Sequence, residues 1–320
     1  RLAWWRSGDA EVNYRRFFTI SALAALQMER TEVFTAVHAL PLRLAADGVI
    51  DGVRVDHVDG LRDPTRYLRT LRTALDAAGA ARQLAPGTLG LWVEKILGPD
   101  EQLPAHWPCD GSTGYDAMDQ VGALLHDIAG GARLAVQWRQ ATAGPRDVGQ
   151  VERQARVEVL ASGLKAEFDA LVALLAKVAD EAGGPAADLG TSLLGTAAAR
   201  LLIHFPVYRS YLDDEVATAA ERGRWQQAAQ AACAGADPAV TTAIHHILGW
   251  VLAPLAADAP PTLRAACLRL RQQVQLLSAP LTAKAVEDCS FYRYAAQLSR
   301  NEVGSDPAVL GLSAAGFHAR

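Results

Sequence analysis

The sequence predicts an α/β fold with a long α-helical stretch set into it, and three observations predict it. Two short apolar runs, 52–55 and 89–93, each end in a carboxylate, Asp56 and Glu94. An amphipathic helical stretch separates them. From about 117 to 280 the chain turns rich in alanine, leucine and arginine, with helical periodicity and few strand signals.

The elements follow in order. Residues 1–20 are aromatic and basic, with Trp4, Trp5, Arg6, Tyr14, Arg15, Arg16, Phe17 and Phe18. Residues 21–26 and 32–46 read as helices, the second with Val33, Phe34, Val37, Leu40 and Leu44 on one face. Asp47-Gly48 then turns the chain into a strand, where Val53 and Val55 suit burial. Arg54 lies two residues before Asp56, so both side chains leave the same face of that strand. The arginine favours the ionised form of the aspartate. A charged carboxylate at the C-terminal end of a buried strand is what a nucleophile on a barrel enzyme needs.

Asp63 is a plausible N-cap, with Pro64 at the first helical position. Tyr67, Leu68, Leu71 and Leu75 form the apolar stripe of that helix. Asp56 and Glu94 are 38 residues apart, the length of a strand–helix–strand unit with a generous loop. Two parallel neighbouring strands place both carboxyls at one end of the sheet. Neighbouring strands are about 4.8 Å apart, close to the roughly 5–5.5 Å between the carboxyls of retaining glycosidases.

A long irregular loop, 98–116, follows Glu94, and such loops build substrate sites on barrels. Gly183-Gly184-Pro185, Ala234-Gly235 and Pro260-Pro261 punctuate the helical stretch. Within it, 201–211 could be a third strand. The expected division is a catalytic segment at 1–116, a helical insertion at 117–280 that walls or caps the cleft, or only packs, and a return at 281–320.

Composition sets limits. The chain has 320 residues, half of them hydrophobic, enough for a sizeable core. A net charge of −4 argues against a nucleic-acid binder and suits a neutral substrate such as a sugar. Cys109, Cys233, Cys267 and Cys289 lack C-x-x-C spacing, so free thiols in a reducing, cytoplasmic compartment are expected. No apolar run reaches the roughly 18 residues of a membrane span. Asp56-His57-x-Asp59 lacks the converging ligands of a metal site.

Arg54-Val55-Asp56-His57 resembles the second signature region of glycoside hydrolase family 13, the α-amylase superfamily. Glu94 in Val93-Glu94-Lys95-Ile96-Leu97 resembles the third. Segments 13–18, 56–61, 93–97, 113–116, 205–209 and 287–294 together resemble, in order, the maltooligosyltrehalose synthases of that superfamily. Ala283, Cys289-Ser290 and Ala295-Ala296 depart from the family's usual residues.

The resemblance implies a partial (β/α)8 barrel, strands about four to six, carrying the helical insertion. It implies that Asp56 is the nucleophile and Glu94 the general acid/base. Arg54, His57, Asp59, Lys95, Tyr14, Arg16 and Arg293 would be substrate-binding. The implied activity is that of a glucan glucosylmutase, which rearranges the reducing-end α-1,4 linkage of a maltodextrin to an α,α-1,1 bond, with no cofactor. An ordinary α-amylase-type hydrolase is the alternative, and a glucan-binding protein without catalysis a third reading. A functional pairing with a maltooligosyltrehalose trehalohydrolase is also implied. The family's third carboxylate, an aspartate after histidine, has no match, since His318 precedes Ala319. The chain is therefore expected to be the inactive middle of a longer enzyme.

For single residues the structural reading stays open. His57 could contact a sugar hydroxyl or be a satisfied structural histidine. Trp4, Trp5, Trp92 and Trp107 could be stacking platforms, with Trp92 better placed in the core.

Overall fold

The computed structural model describes residue 4 and residues 12–142, 147–212, 217–253 and 259–319. Trp5 and Arg6 lie outside them. In chain order the elements are β1 (Arg16–Phe17), β2 (Ile20–Ala24), α1 (Thr31–Ala46), β3 (Gly52–Val55), α2 (Pro64–Ala80), β4 (Gly90–Val93) and β5 (Gly111–Ser112). Helices follow: α3 (Tyr115–Leu124), α4 (Ile128–Thr142), α5 (Val148–Ala161), α6 (Lys165–Ala182) and α7 (Thr191–Ile203). Then come α8 (Ala219–Cys233), α9 (Pro238–Leu252) and α10 (Pro261–Ala285). The architecture is helix-rich α/β with a small parallel sheet.

The chain divides into two compact units. One comprises 25–141 and 296–320, the other 1–24 and 142–295. The expected boundary at 117 falls inside the first of these, within α3.

The first unit is organised by the sheet β3-β4-β5, parallel throughout. Its register pairs Gly52 with Gly90, Arg54 with Trp92 and Val55 with Val93. Helix α2 makes the crossover, as the spacing predicts. The Asp63 side chain accepts the Arg66 N–H at 2.9 Å, and Pro64 starts the helix. Leu68, Leu71 and Leu75 are buried along its stripe, as are Leu91 and Val93 on the sheet.

The other sheet face carries Gly52, Arg54, Gly90 and Trp92. A Cβ at Gly90 would stand 2.1 Å from the Trp92 ring, and one at Gly52 would stand 2.8 Å from it. The indole therefore lies close over two glycines, and a Cβ at either position would collide with it. Trp92 is 42% exposed, so it is not the core residue the sequence suggests.

The second unit is mainly helical. Leu171, Leu175, Leu201, Trp225, Ile244, Ile247, Leu270 and Leu277 belong to one buried cluster. Helix α10, 25 residues long, packs against α5, α6 and α9. It runs into a π-helical turn at Val286–Ser290.

Two expectations fail here. Residues 21–26 are not helical, because 20–24 form β2, antiparallel to β1 across a turn in which Phe18 has φ 52°. Tyr14 Oη donates to the Ser21 carbonyl at 2.6 Å, holding this edge extended. Residues 201–211 are not a strand. Leu201–Ile203 end α7, and the chain then runs irregularly through the core. Side chains replace the missing ladder. Arg156 donates to the carbonyls of Leu202 and Phe205 at 3.1 and 3.2 Å. Gln275 accepts the Leu212 N–H at 2.6 Å and donates to its carbonyl at 3.0 Å. Buried backbone groups must be paired, and long polar side chains do it here instead of a neighbouring strand.

Candidate active site

Asp56 directly follows β3 and Glu94 directly follows β4, whose last registered pair is Val55 with Val93. The pairing extends by one bond, from the Glu94 N–H to the Val55 carbonyl at 2.7 Å. Arg54 donates to Asp56 Oδ1 at 2.9 Å, and both side chains are largely open to solvent. Such an exposed pair contributes little stability but orients the carboxylate.

After Asp56 the chain turns sharply. His57 has φ 49° and ψ 49°, the left-handed region that few non-glycine residues adopt. That conformation directs the His57 N–H at Glu94 Oε2, 2.9 Å away. A 3-10 turn, Val58–Gly60, follows. A Cβ at Gly60 would stand 2.2 Å from the His57 ring, so a side chain there would displace that ring.

Glu94 is half-buried, and burial is the main reason its carboxyl lies above the usual range. The negative charges of Asp56 and Asp59 push the same way, while the His57 N–H and Arg54 oppose them. One strand end thus carries an exposed carboxylate beside an arginine. Its neighbour carries a carboxyl held towards the protonated form. Acid/base catalysis with a nucleophile requires this asymmetry.

The other predicted site residues divide. Arg54 and His57 stand with the carboxyl pair. Asp59 and Lys95 are buried, 6% and 2% exposed, and engage each other and Glu101. Tyr14, Arg16 and Arg293 belong to the helical unit. There Arg16 is buried against Glu167 at 2.7 Å and donates to the Gly163 carbonyl at 2.8 Å. Arg293 pairs with Glu158 at 2.7 Å, which raises the guanidinium pKa further. Trp107 is buried, its Nε1 donating to Thr65 Oγ1 at 3.1 Å.

Two features escaped the sequence reading. Glu101 has no motif to mark it. A small cleft beside α1 and α2 is lined by Phe34, Leu61, Asp63, Arg66 and Tyr67. His38 bridges the Phe34 carbonyl and the Tyr67 hydroxyl at 2.8 Å each, and burial pushes Tyr67 up to about 12. Among the described residues no group of three or more His, Cys, Asp or Glu could hold a metal ion. No described helix is long and apolar enough to cross a membrane.

Two carboxyls thus follow directly on adjoining parallel strands. No protein-family model matches the chain. It is 36% identical over 321 aligned residues, all of its length, to proteins named maltooligosyl trehalose synthase in two strains of Mycobacterium tuberculosis. The structure of maltooligosyltrehalose synthase from Arthrobacter ramosus matches 98% of the chain at 33% identity, with a TM-score of 0.78. A hypothetical maltooligosyl trehalose synthase of Sulfolobus tokodaii, at 22% identity and a TM-score of 0.67, shares the fold over 96% of the chain. The chain is thus related over its whole length to the maltooligosyl trehalose synthases. It spans 37% of the length of the curated relatives and 36% of the Arthrobacter chain.

Proposed function

We propose that this chain carries the nucleophile and the acid/base of a maltooligosyltrehalose-forming glycosyl transfer, part of trehalose biosynthesis. The supporting observation is the β3–β4 register, which sets Asp56 beside a Glu94 whose carboxyl is raised by burial.

The substrate is a linear α-1,4-glucan. Asp56 attacks the anomeric carbon of the residue next to the reducing end. The C1–O4 bond breaks, and Glu94 gives its proton to the departing O4 of the terminal glucose. The glycan is then an ester of Asp56. The released glucose stays bound and reorients, and its own anomeric hydroxyl attacks C1 of the glycosyl ester, with the Asp56 carboxylate as leaving group. Glu94 takes that proton back, the Asp56–C1 bond breaks, and an α,α-1,1 linkage closes. Two displacements retain configuration, with no net hydrolysis and no cofactor. Arg54 keeps Asp56 oriented, and His57 places Glu94 through its backbone N–H.

In the same reading, β3 and β4 are strands four and five of a (β/α)8 barrel. The exposed Trp92 face supports this, because parallel sheets are covered on both sides. The helical stretch is an insertion in that barrel's sequence. Arg54 and His57 contact the sugar. A trehalohydrolase acting on the product, and a cytoplasmic location, complete the reading.

Incubation of the intact protein with maltopentaose tests it. Loss of reducing power without free glucose or shorter maltodextrins is expected. Shorter maltodextrins with rising reducing power would mean α-amylase-type hydrolysis.

A further inference from the structure

Lys95 follows Glu94 directly, and its ammonium group is buried. Its Nζ lies 3.0 Å from Glu101 Oε1 and 3.5 Å from Asp59 Oδ2, and donates to the Ile96 carbonyl at 3.4 Å. All three charged side chains are less than 10% exposed. The two carboxylates come from different loops. Asp59 sits in the turn after β3, two residues beyond the His57 N–H that holds Glu94. Glu101 sits in the loop after β4, where its Oε2 accepts the Gly98 N–H at 2.8 Å. One buried cation therefore joins the two loops that leave the catalytic strand ends.

We infer that Lys95 is a positioning residue that ties the loop after β3 to the loop after β4 and so fixes the His57 N–H against Glu94. This rests on the roles proposed above for Asp56 and Glu94. A buried charge is tolerated when paired, and removing its partner leaves the others uncompensated. Without the ammonium, Asp59 and Glu101 repel across the gap it filled. The 57–60 turn then shifts relative to Glu94. Displacing a catalytic group by about 1 Å can reduce turnover by roughly 10²-fold. A sugar ligand would behave differently, because losing it weakens binding.

The test uses K95M and the charge-balanced K95M/D59N/E101Q variant in the intact protein. Turnover of maltopentaose should fall by about 10²-fold in K95M, while maltodextrin affinity by calorimetry stays within about threefold. The triple variant should recover thermal stability without recovering turnover. In that variant the His57 amide should exchange with solvent at least about tenfold faster than in the wild type, with Leu91 and Val93 unchanged. A K95M protein with unchanged turnover and weakened affinity would make Lys95 a sugar ligand and overturn the inference. So would a triple variant with wild-type turnover or unaltered His57 exchange. The exchange measurement needs no activity. If the wild type forms no trehalose-ended product, the proposed reaction fails, while His57 protection still decides the role of Lys95.

Discussion

The ends of β3 and β4 are chemically unlike, although they adjoin. Asp56 stands open to solvent with Arg54 at 2.9 Å. Glu94 is half-buried, takes a single backbone N–H, and has its carboxyl pushed upward. The same kind of group one strand apart thus meets two environments, one exposed beside an arginine and one half-buried. The contrast has a direction: the Asp56 charge disfavours ionisation of Glu94, and burial of Glu94 disfavours it further.

Removing either carboxyl should break the contrast most severely. Asp56→Asn in the intact protein should abolish formation of trehalose-ended product, since no other group can form the ester. Glu94→Gln should lower turnover by roughly 10²–10⁴-fold while leaving maltodextrin binding nearly unchanged. Product analysis and calorimetry on each variant check this. Unchanged turnover in Glu94→Gln would remove that residue from the mechanism.

A smaller effect separates the site from the helical unit. Gln275→Leu strands the Leu212 N–H and carbonyl in the core. It should destabilise by about 1–3 kcal/mol in a denaturant titration. Turnover of the folded fraction should be preserved, and a loss there comparable to that of Glu94→Gln would contradict this assignment.

The smallest effects concern pH. Because Glu94 is raised, kcat/KM should persist above the pH at which an ordinary carboxyl would have lost its proton. Arg54→Gln removes a charge that lowers Glu94, so the alkaline limb should move to higher pH. Asp56→Asn removes one that raises it, so the Glu94 carboxyl, followed by NMR, should titrate at lower pH. A raised acid favours the folded state while protonated. That stability is present below the unfolded pKa and is lost as pH rises through the folded one. Glu94→Gln should therefore melt higher than the wild type at neutral pH, with a flatter pH dependence between those two pKa values. Identical melting profiles would show that Glu94 carries no such shift.

Much of the sheet unit was legible in the sequence, because its signals are local. Pro64 and the Asp63 cap marked the start of α2, its leucine stripe marked the buried face, and the spacing of Asp56 and Glu94 implied a parallel pair. The segment 201–211 was not legible, because a partner of its backbone carbonyls lies far away in sequence, at Arg156. An apolar run satisfied by distant side chains looks like a strand when read alone. Ser21–Ala24 misled in the opposite way, since alanine and leucine favour helices while pairing with β1 decides the outcome. Glu101, which with Asp59 holds Lys95, carries no sequence signature.

The most direct test of the central claim is covalent trapping on Asp56. A maltooligosyl fluoride needs no acid to leave, so the Glu94→Gln variant of the intact protein should form the ester and accumulate it. Mass spectrometry of the digested protein should then find the glycosyl mass on the peptide containing Asp56. A glycosyl adduct on any other residue, or none while the fluoride is consumed, would contradict the assignment of Asp56 as nucleophile.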